Sequence, residues 1–172
     1  MALVLNGDGN ITGLSAGGLP DGSVTADDIA SLPAGSVIQV VEASTTSNIS
    51  TSSTSDVATG LIATITPTSA TSKILVMLSG GGADYAVGST SGAVTLYRDI
   101  NGGGYSSLAL IERMYIGSPT WSLPHSANYL DSPSTTSAVS YQPYMKVTSS
   151  NTFLFNNGLA IRVVLTLMEI AA

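Results

Sequence analysis

The chain has 172 residues, of which 5 are basic and 11 acidic, giving a formal net charge of −6 and a charged fraction of 9%. This length fits one domain with at most a small appendage and is enough to bury a real core. Five scattered cations cannot form the basic face that nucleic-acid binding requires, and the absence of cysteine excludes disulfides and thiolate metal sites.

Hydroxyl groups must solvate much of the surface, because the chain holds 26 serines and 19 threonines. A mean hydropathy of +0.35 is high for a soluble monomer with so few charges. We therefore expect copies of the chain or a larger assembly to cover part of its surface. The N-terminus lacks a signal-peptide pattern, and the apolar stretch at 159–172 is too short to cross a bilayer, so we expect a soluble protein without membrane insertion.

Residues 1–35 form a first region that contains no aromatic side chain. Residues 2–5 and 11–14 flank a turn-rich stretch and predict a small hairpin. A capping-box pattern from Thr25 predicts a helix of about two turns that Pro33 ends. So small a piece cannot bury its own apolar side chains, so we predict a docking arm that lies on a partner. These side chains are Leu3, Leu5, Ile11, Leu14, Ile29 and Leu32.

From residue 36 onward, the pattern indicates β-strands throughout. Short strands, hydroxyl-rich turns and the lack of a long amphipathic helix predict an all-β fold, an antiparallel β-sandwich of the jelly-roll kind over 36–172. Asn101–Gly104 is a hairpin signal between two of the strands. The last strand is apolar on both faces, which predicts a central position. About eight strands are predicted, at 36–42, 59–65, 73–79, 93–100, 105–114, 138–148, 151–155 and 159–170.

Two segments between these strands have unusual composition. Ser44–Ser55 is of low complexity, so it is either a flexible exposed loop or an extended strand that stacks against sister subunits. Gly80–Gly82 is a run of glycines that we interpret as a strand-end turn, because no lysine follows it as in a phosphate-binding loop.

The sequence offers little catalytic chemistry. His125 is the single histidine, and no serine nucleophile motif accompanies it, so we interpret it as a loop or interface residue. Glu112 and Asp131 are the least implausible acid pair for glycoside hydrolysis. The turn at Asn6–Asn10 begins like a calcium loop, but the chain then departs from that pattern. We predict no enzyme, no metal and no cofactor.

Met114–Asp131 concentrates aromatic side chains in a stretch that two prolines make too irregular for a strand. Proline-stiffened loops with tyrosine and tryptophan suit contact with carbohydrate or protein, because aromatic faces give area at low entropy cost. The alternative is that Trp121 plugs the end of the sandwich or contacts another subunit. The candidate contact residues are Tyr115, Trp121, His125 and Tyr129.

Seven segments, taken in order, are similar to fibre-type virion proteins of tailed bacteriophages. They are 2–14, 19–30, 35–41, 60–67, 72–76, 129–133 and 165–170. The resemblance implies a homotrimeric β-sandwich on the outside of a virion, made in the host cytoplasm and used for host attachment or for decorating the particle. It implies no catalytic residues. The chain departs from long tail fibres because no shaft separates residue 35 from the sandwich.

The interpretation that follows is a short trimeric fibre or knob that mediates host attachment. Its partners are copies of itself, other virion proteins through the arm at 1–35, and a glycan or protein of the host surface. The alternative is a capsid decoration (cement) protein that stabilises the head. A third hypothesis is a virion enzyme that cleaves carbohydrate.

Overall fold

The computed structural model describes residues 4–5, 11–12, 32–85, 90–116, 122–149, 151–157 and 161–172. Backbone contacts divide the chain into two units, Met1–Leu32 and Pro33–Ala172. In the first unit, β1 (Val4–Leu5) and β2 (Ile11–Thr12) pair antiparallel, as the predicted hairpin requires. The helix predicted from Thr25 falls outside the described residues.

The described part of the second unit is built from β-strands, with no helix among its described residues. The strands are β3 (Val37–Thr45), β4 (Ile49–Thr51), β5 (Val57–Ala58), β6 (Ala63–Ile65), β7 (Lys73–Tyr85), β8 (Thr90–Ile100), β9 (Ser106–Ile116), β10 (Leu123–Asp131), β11 (Val139–Val147), β12 (Phe153–Asn156) and β13 (Val163–Ile170).

The strands form two antiparallel sheets that pack as a sandwich. The first sheet runs β3-β13-β7-β10, and β12 and β4 extend it beside the end of β7. The second runs β6-β11-β8-β9, and β5 also pairs with β11. Eight principal strands make up the two sheets, namely β3, β6, β7, β8, β9, β10, β11 and β13. Numbered 1 to 8 in chain order, they follow each other as 1-8-3-6 in the first sheet and as 2-7-4-5 in the second, which is jelly-roll connectivity. The predicted fold class is therefore confirmed, and β13 is central between β3 and β7, as predicted.

The core lies between the two sheets and is supplied by every second residue of the central strands. In the first sheet, the inward residues of β13 and β7 are fully buried. In the second, alternate residues of β8 and β11 meet them. The main contributors are Ile74, Val76, Leu78, Val94, Leu96, Val139, Tyr141, Met145, Val163, Leu165 and Leu167. Period two then places the intervening residues of each strand on an outer face.

The glycine run lies inside β7, so the predicted strand-end turn at 80–82 is wrong. Gly80 and Gly81 adopt φ of +77° and +70° and bend the strand without ending it. A Cβ on Gly80 would lie 2.5 Å from the carbonyl oxygen of Arg162, and one on Gly81 would lie 2.3 Å from a methyl carbon of Val163. The bend moves β7 from β13, its partner up to Gly80, to β12, which it meets at Asp84.

Two further predictions need correction. Residues 49–51 of the low-complexity tract form β4, which pairs with β12 of the same chain, so a loop throughout 44–55 is wrong. The stretch judged too irregular for a strand contains β10 at 123–131. Pro124 fits there because β10 pairs with β7 alone among the described strands and carries a register shift between Leu123 and His125, and prolines are tolerated at edges and bulges.

Candidate functional site

The buried ionisable groups are the first candidates for chemistry. His125 projects inward from β10, and its side chain is 0% exposed. Its Nδ1 contacts a carboxylate oxygen of Glu112 on β9, and its Nε2 lies 2.8 Å from the carbonyl oxygen of Phe155. Both ring nitrogens therefore lie against acceptor oxygens, one on β9 and one on β12. The ring is therefore a link between the sheets, and the expectation that His125 is an outward contact residue is wrong.

A second buried cluster surrounds Asp131, also on β10. Arg98 Nη1 donates to both carboxylate oxygens at 2.9 and 2.8 Å, and the Tyr141 hydroxyl donates to one of them at 2.7 Å. Burial, and then the contact with Asp131, raises the pKa of Tyr141, so the hydroxyl stays a donor. Arg98 and Tyr141 belong to the second sheet and Asp131 to the first. This cluster therefore also ties the two sheets together.

Glu169 is the third buried carboxylate, and the groups of Gln39 and Thr68 that donate to it are neutral. Gln39 Nε2 donates to it at 2.6 Å, and the backbone N–H and hydroxyl of Thr68 each donate at 2.7 Å. Burial alone raises the pKa of Glu169, but these hydrogen bonds outweigh it and hold the pKa below its ordinary value of 4.5. The carboxylate fastens β3 and the loop before β7 onto β13.

The two acids considered for glycoside hydrolysis are thus engaged in separate structural contacts. Glu112 binds His125 and the backbone N–H of Ser126, and Asp131 binds Arg98 and Tyr141. Neither residue lines the two grooves that the described surface carries at 43–62 and around Ala93. Among the described residues, no group of three histidine or acidic side chains could hold a metal ion. The described part of the chain also contains no helix long and apolar enough to cross a membrane.

The outer face of the first sheet carries a row of apolar side chains. Backbone register places Val40 opposite Met168, Met168 opposite Leu75, and Leu75 opposite Leu130. We call these four residues the apolar belt. Val40 is 55% exposed and Leu130 51%, and both other members are partly exposed. The belt therefore crosses all four principal strands without a charge.

Further apolar side chains border the belt. Val37 is 51% exposed and Met77 36%, and Ile170 is partly exposed. The charged side chains of this face lie in the neighbouring rows, where Lys73 is opposite Ile170 and Glu42 is opposite Thr166. Contiguous exposed apolar area is typical of interaction surfaces.

The outer face of the second sheet is different, because it carries a polar trough of about 310 Å³. Its floor is made by Ala93 and Thr95, the small outward residues of the central strand β8, which are 2% and 5% exposed. The strands on either side supply longer side chains, which form the walls. The remaining lining residues are Asp56, Ser107, Leu110, Arg113, Lys146 and Thr148.

Tyrosines flank one end of this trough. The rings of Tyr97 and Tyr144 stack at 3.9 Å, and Tyr105 packs against Tyr144 at 6.1 Å. The Tyr97 hydroxyl donates to Asp56 at 3.0 Å, and the Lys146 ammonium lies 3.2 Å from the other oxygen of that carboxylate. These contacts hold Asp56 and Lys146 in place at the trough.

A second groove of about 360 Å³ lies between the end of β3, β4 and residues 59–62. Its lining consists of small, hydroxyl and aliphatic side chains and includes no charged residue. It therefore offers shape and hydroxyl groups but no group for acid–base or ionic chemistry.

The structure distributes the sequence-predicted contact residues among different environments. Tyr115 is 73% exposed on the outer face of β9. Tyr129 is half-buried and packs on the core, and His125 is buried. Trp121 lies outside the described residues.

Of the predicted arm residues, Leu32 is 45% exposed. Leu5 and Ile11 lie opposite each other in the β1–β2 pair. Leu3, Leu14 and Ile29 lie outside the described residues.

The trough was missed by sequence reasoning, although part of its signal was present. The predicted hairpin around Asn101–Gly104 places Arg113 on a strand beside β8. That Lys146 stands on the other side of β8 depends on the pairing of β8 with β11, which joins residues about 40 to 55 positions apart and has no local signal.

No protein-family model and no curated protein matches this chain. Among solved structures, it is similar to a chain in the structure of infectious bursal disease virus, Gt strain, with a TM-score of 0.42 and 13% identity. The likeness covers 78% of this chain and 38% of the viral chain, so this chain spans well under two thirds of the length of its neighbour.

Replacing Asp131 by asparagine is expected to lower the free energy of unfolding by about 3 kcal/mol, because Arg98 is left largely buried without its counter-charge. Denaturant unfolding at neutral pH measures this. The control is Glu42→Gln, which breaks an exposed pair with Arg162 at 3.8 Å and should cost less than about 1 kcal/mol. Equal effects of the two substitutions would contradict the structural role of Asp131.

Glu169→Gln is expected to weaken the acid dependence of stability. A carboxyl group whose pKa is lowered by folding stabilises the protein above its ordinary pKa of 4.5, and this contribution is lost as the pH falls through the folded value. The variant should be less stable than the parent at pH 7, and the difference should shrink on acidification. Denaturant unfolding across this range measures it. Glu42→Gln, at an exposed site, should keep the parental pH dependence, and an unchanged profile for Glu169→Gln would refute the assignment.

Proposed function

We propose that the chain is a structural protein on the outside of a bacteriophage virion, where it forms a short trimeric fibre or knob that attaches the particle to its host. The observation that carries the proposal is the apolar belt. A lone soluble domain gains nothing from an uncharged row across its sheet, whereas an assembling subunit gains binding energy from covering it.

Copies of the same chain are the partner that fits the belt best. The four belt residues, a valine, a methionine and two leucines, are neutral and apolar, so an identical belt is chemically complementary. Covering a half-exposed valine or leucine contributes about 1 kcal/mol, and several such residues from each subunit add up to a stable association. Three belts around a threefold axis agree with the trimer that the resemblance implies.

Other features support a virion role. Jelly-roll sandwiches are a common architecture of viral capsid and lectin domains. The low charge and high hydroxyl content of the chain suit a subunit that is largely covered by its neighbours. Seven segments resemble fibre-type virion proteins of tailed phages. The buried acids are occupied by structural contacts, so the proposal includes no catalytic role.

Leu130→Lys is expected to convert a trimer into a monomer, because it places a charge in the middle of the belt. Sedimentation equilibrium measures the mass, and circular dichroism checks that the strands persist. Leu110→Lys is the matched control, since Leu110 is 57% exposed on the opposite outer face and Leu130 is 51% exposed. A parent protein that sediments as one chain at micromolar concentration would overturn the trimer, and a trimeric Leu130→Lys variant would exclude the belt as its interface.

Deleting residues 1–35 is expected to leave a folded oligomer that no longer joins the particle, because the arm carries the proposed docking side chains. Incorporation is measured by adding purified protein to particles that lack it. The full-length chain is the control. If the deleted protein loses its strand signal in circular dichroism, the arm belongs to the fold instead. If the full-length protein raises the heat resistance of stripped capsids and does not compete with phage for cells, the decoration role replaces the fibre role.

A further inference from the structure

The trough on the second sheet places two cations on either side of one alanine. Backbone register puts Lys146 of β11 and Arg113 of β9 in the same row, each opposite Ala93 of β8. Neighbouring strands are about 4.8 Å apart, so the two backbone positions are about 10 Å apart across the floor. The alanine side chain leaves the space between them open. This spacing lets both cationic groups reach one anion above Ala93.

Asp56 also lines the trough and pairs with Lys146, so the two cations leave the trough with a net positive charge, which is unusual for this chain. Five cations are present in a molecule of net charge −6. Arg98 is committed to Asp131 inside the sandwich, Arg162 pairs with Glu42, and Lys73 lies on the other outer face. The remaining two flank the trough.

The two cations of the trough differ in whether a carboxylate pairs with them. Lys146 is held near Asp56, whereas Arg113 forms no salt bridge with another described residue. A guanidinium on an exposed strand face with no carboxylate partner is available for bidentate binding of an anionic group.

The surroundings of these cations favour a sugar over a bare anion. Tyr115 follows Arg113 on the same outward face of β9, about 7 Å further along, and its side chain is 73% exposed. An open tyrosine ring beside an anion site can stack on a pyranose ring. Thr95 and Ser107 line the trough with hydroxyl groups that sugar hydroxyls can contact, and Thr148, whose hydroxyl donates to the carbonyl of Ser91, supplies an acceptor.

We propose that the trough binds an acidic saccharide, with the sugar's anionic group between Arg113 and Lys146 and its ring against Tyr115. The inference rests on the proposed attachment function and names the chemical class of the receptor. Binding is reversible and non-covalent, and the trough volume of about 310 Å³ fits one or two sugar units. The trough lies on the face opposite the apolar belt, so assembly through the belt leaves it open.

The test measures binding of the full-length protein to two matched pairs of probes by titration calorimetry. One pair is sialyllactose and lactose, and the other is tetragalacturonate and its carboxyl-reduced form. We expect the acidic member of at least one pair to bind at least tenfold more tightly than its neutral counterpart. Absence of this preference in both pairs overturns the proposal.

The variants locate the site. Arg113→Gln and Tyr115→Ala should each weaken binding of the acidic probe at least tenfold, whereas Arg162→Gln, which removes one positive charge from a distant exposed pair, should leave it within twofold. Equal losses from Arg113→Gln and Arg162→Gln would show a general charge effect and reject the site. Inorganic phosphate that binds as tightly as the acidic saccharide would also reject it, since the ring would then contribute nothing.

Failure of the saccharide site is distinguishable from failure of the proposed function. The oligomeric state and particle incorporation are measured without any sugar. A trimer that joins particles but prefers no acidic saccharide overturns the trough site alone, whereas a monomer that still binds the acidic probe overturns the assembly proposal alone.

Discussion

Contacts of His125 and Asp131 along β10 hold the two sheets together. Which residues lie on the outer faces of the domain depends on this closure of the sandwich. Near its start, the strand is tied to β9 through His125 and Glu112, and at its end to β8 and β11 through Asp131. Buried ions tolerate few alternative arrangements, because an ion without its partner is costly. A one-residue shift in the pairing of β10 with β7 would turn the side chains of both His125 and Asp131 toward solvent.

The same closure decides what faces outward. With Asp131 and Tyr129 directed to the interior, period two sends Leu130 to the outer face, where it completes the apolar belt. On the opposite sheet, Glu112 points inward to His125, so Arg113 beside it points outward to the trough. Each of these interior contacts thus sets the direction of a residue on an outer surface. The apolar belt and the trough therefore lie on opposite outer faces of the sandwich.

Local patterns predicted much of this fold. The hairpin around Asn101–Gly104 and the central position of β13 follow from turn chemistry and from apolar residues on both faces of a strand. The role of β10 does not follow, since a proline near its start and a histidine and an aspartate at buried positions depart from the apolar alternation of a half-buried strand. Its partner strand, β7, and the residues that form its ionic contacts are separated from it in sequence. Likewise, Gly80–Gly82 look like a turn unless the close approach of Arg162 and Val163 is known.

The distribution of the few charges explains why the candidate site could not be found from composition. A chain with 5 cations and 11 acids appears unsuited to binding anions, and on average over its surface it is. Electrostatic recognition depends on the local field, and the strand order brings together Arg113 and Lys146, which are far apart in sequence, beside a floor of small side chains. The acidic remainder of the surface then acts against non-specific binding of polyanions. Selectivity for one acidic group at the proposed site is therefore compatible with the net negative charge of the chain.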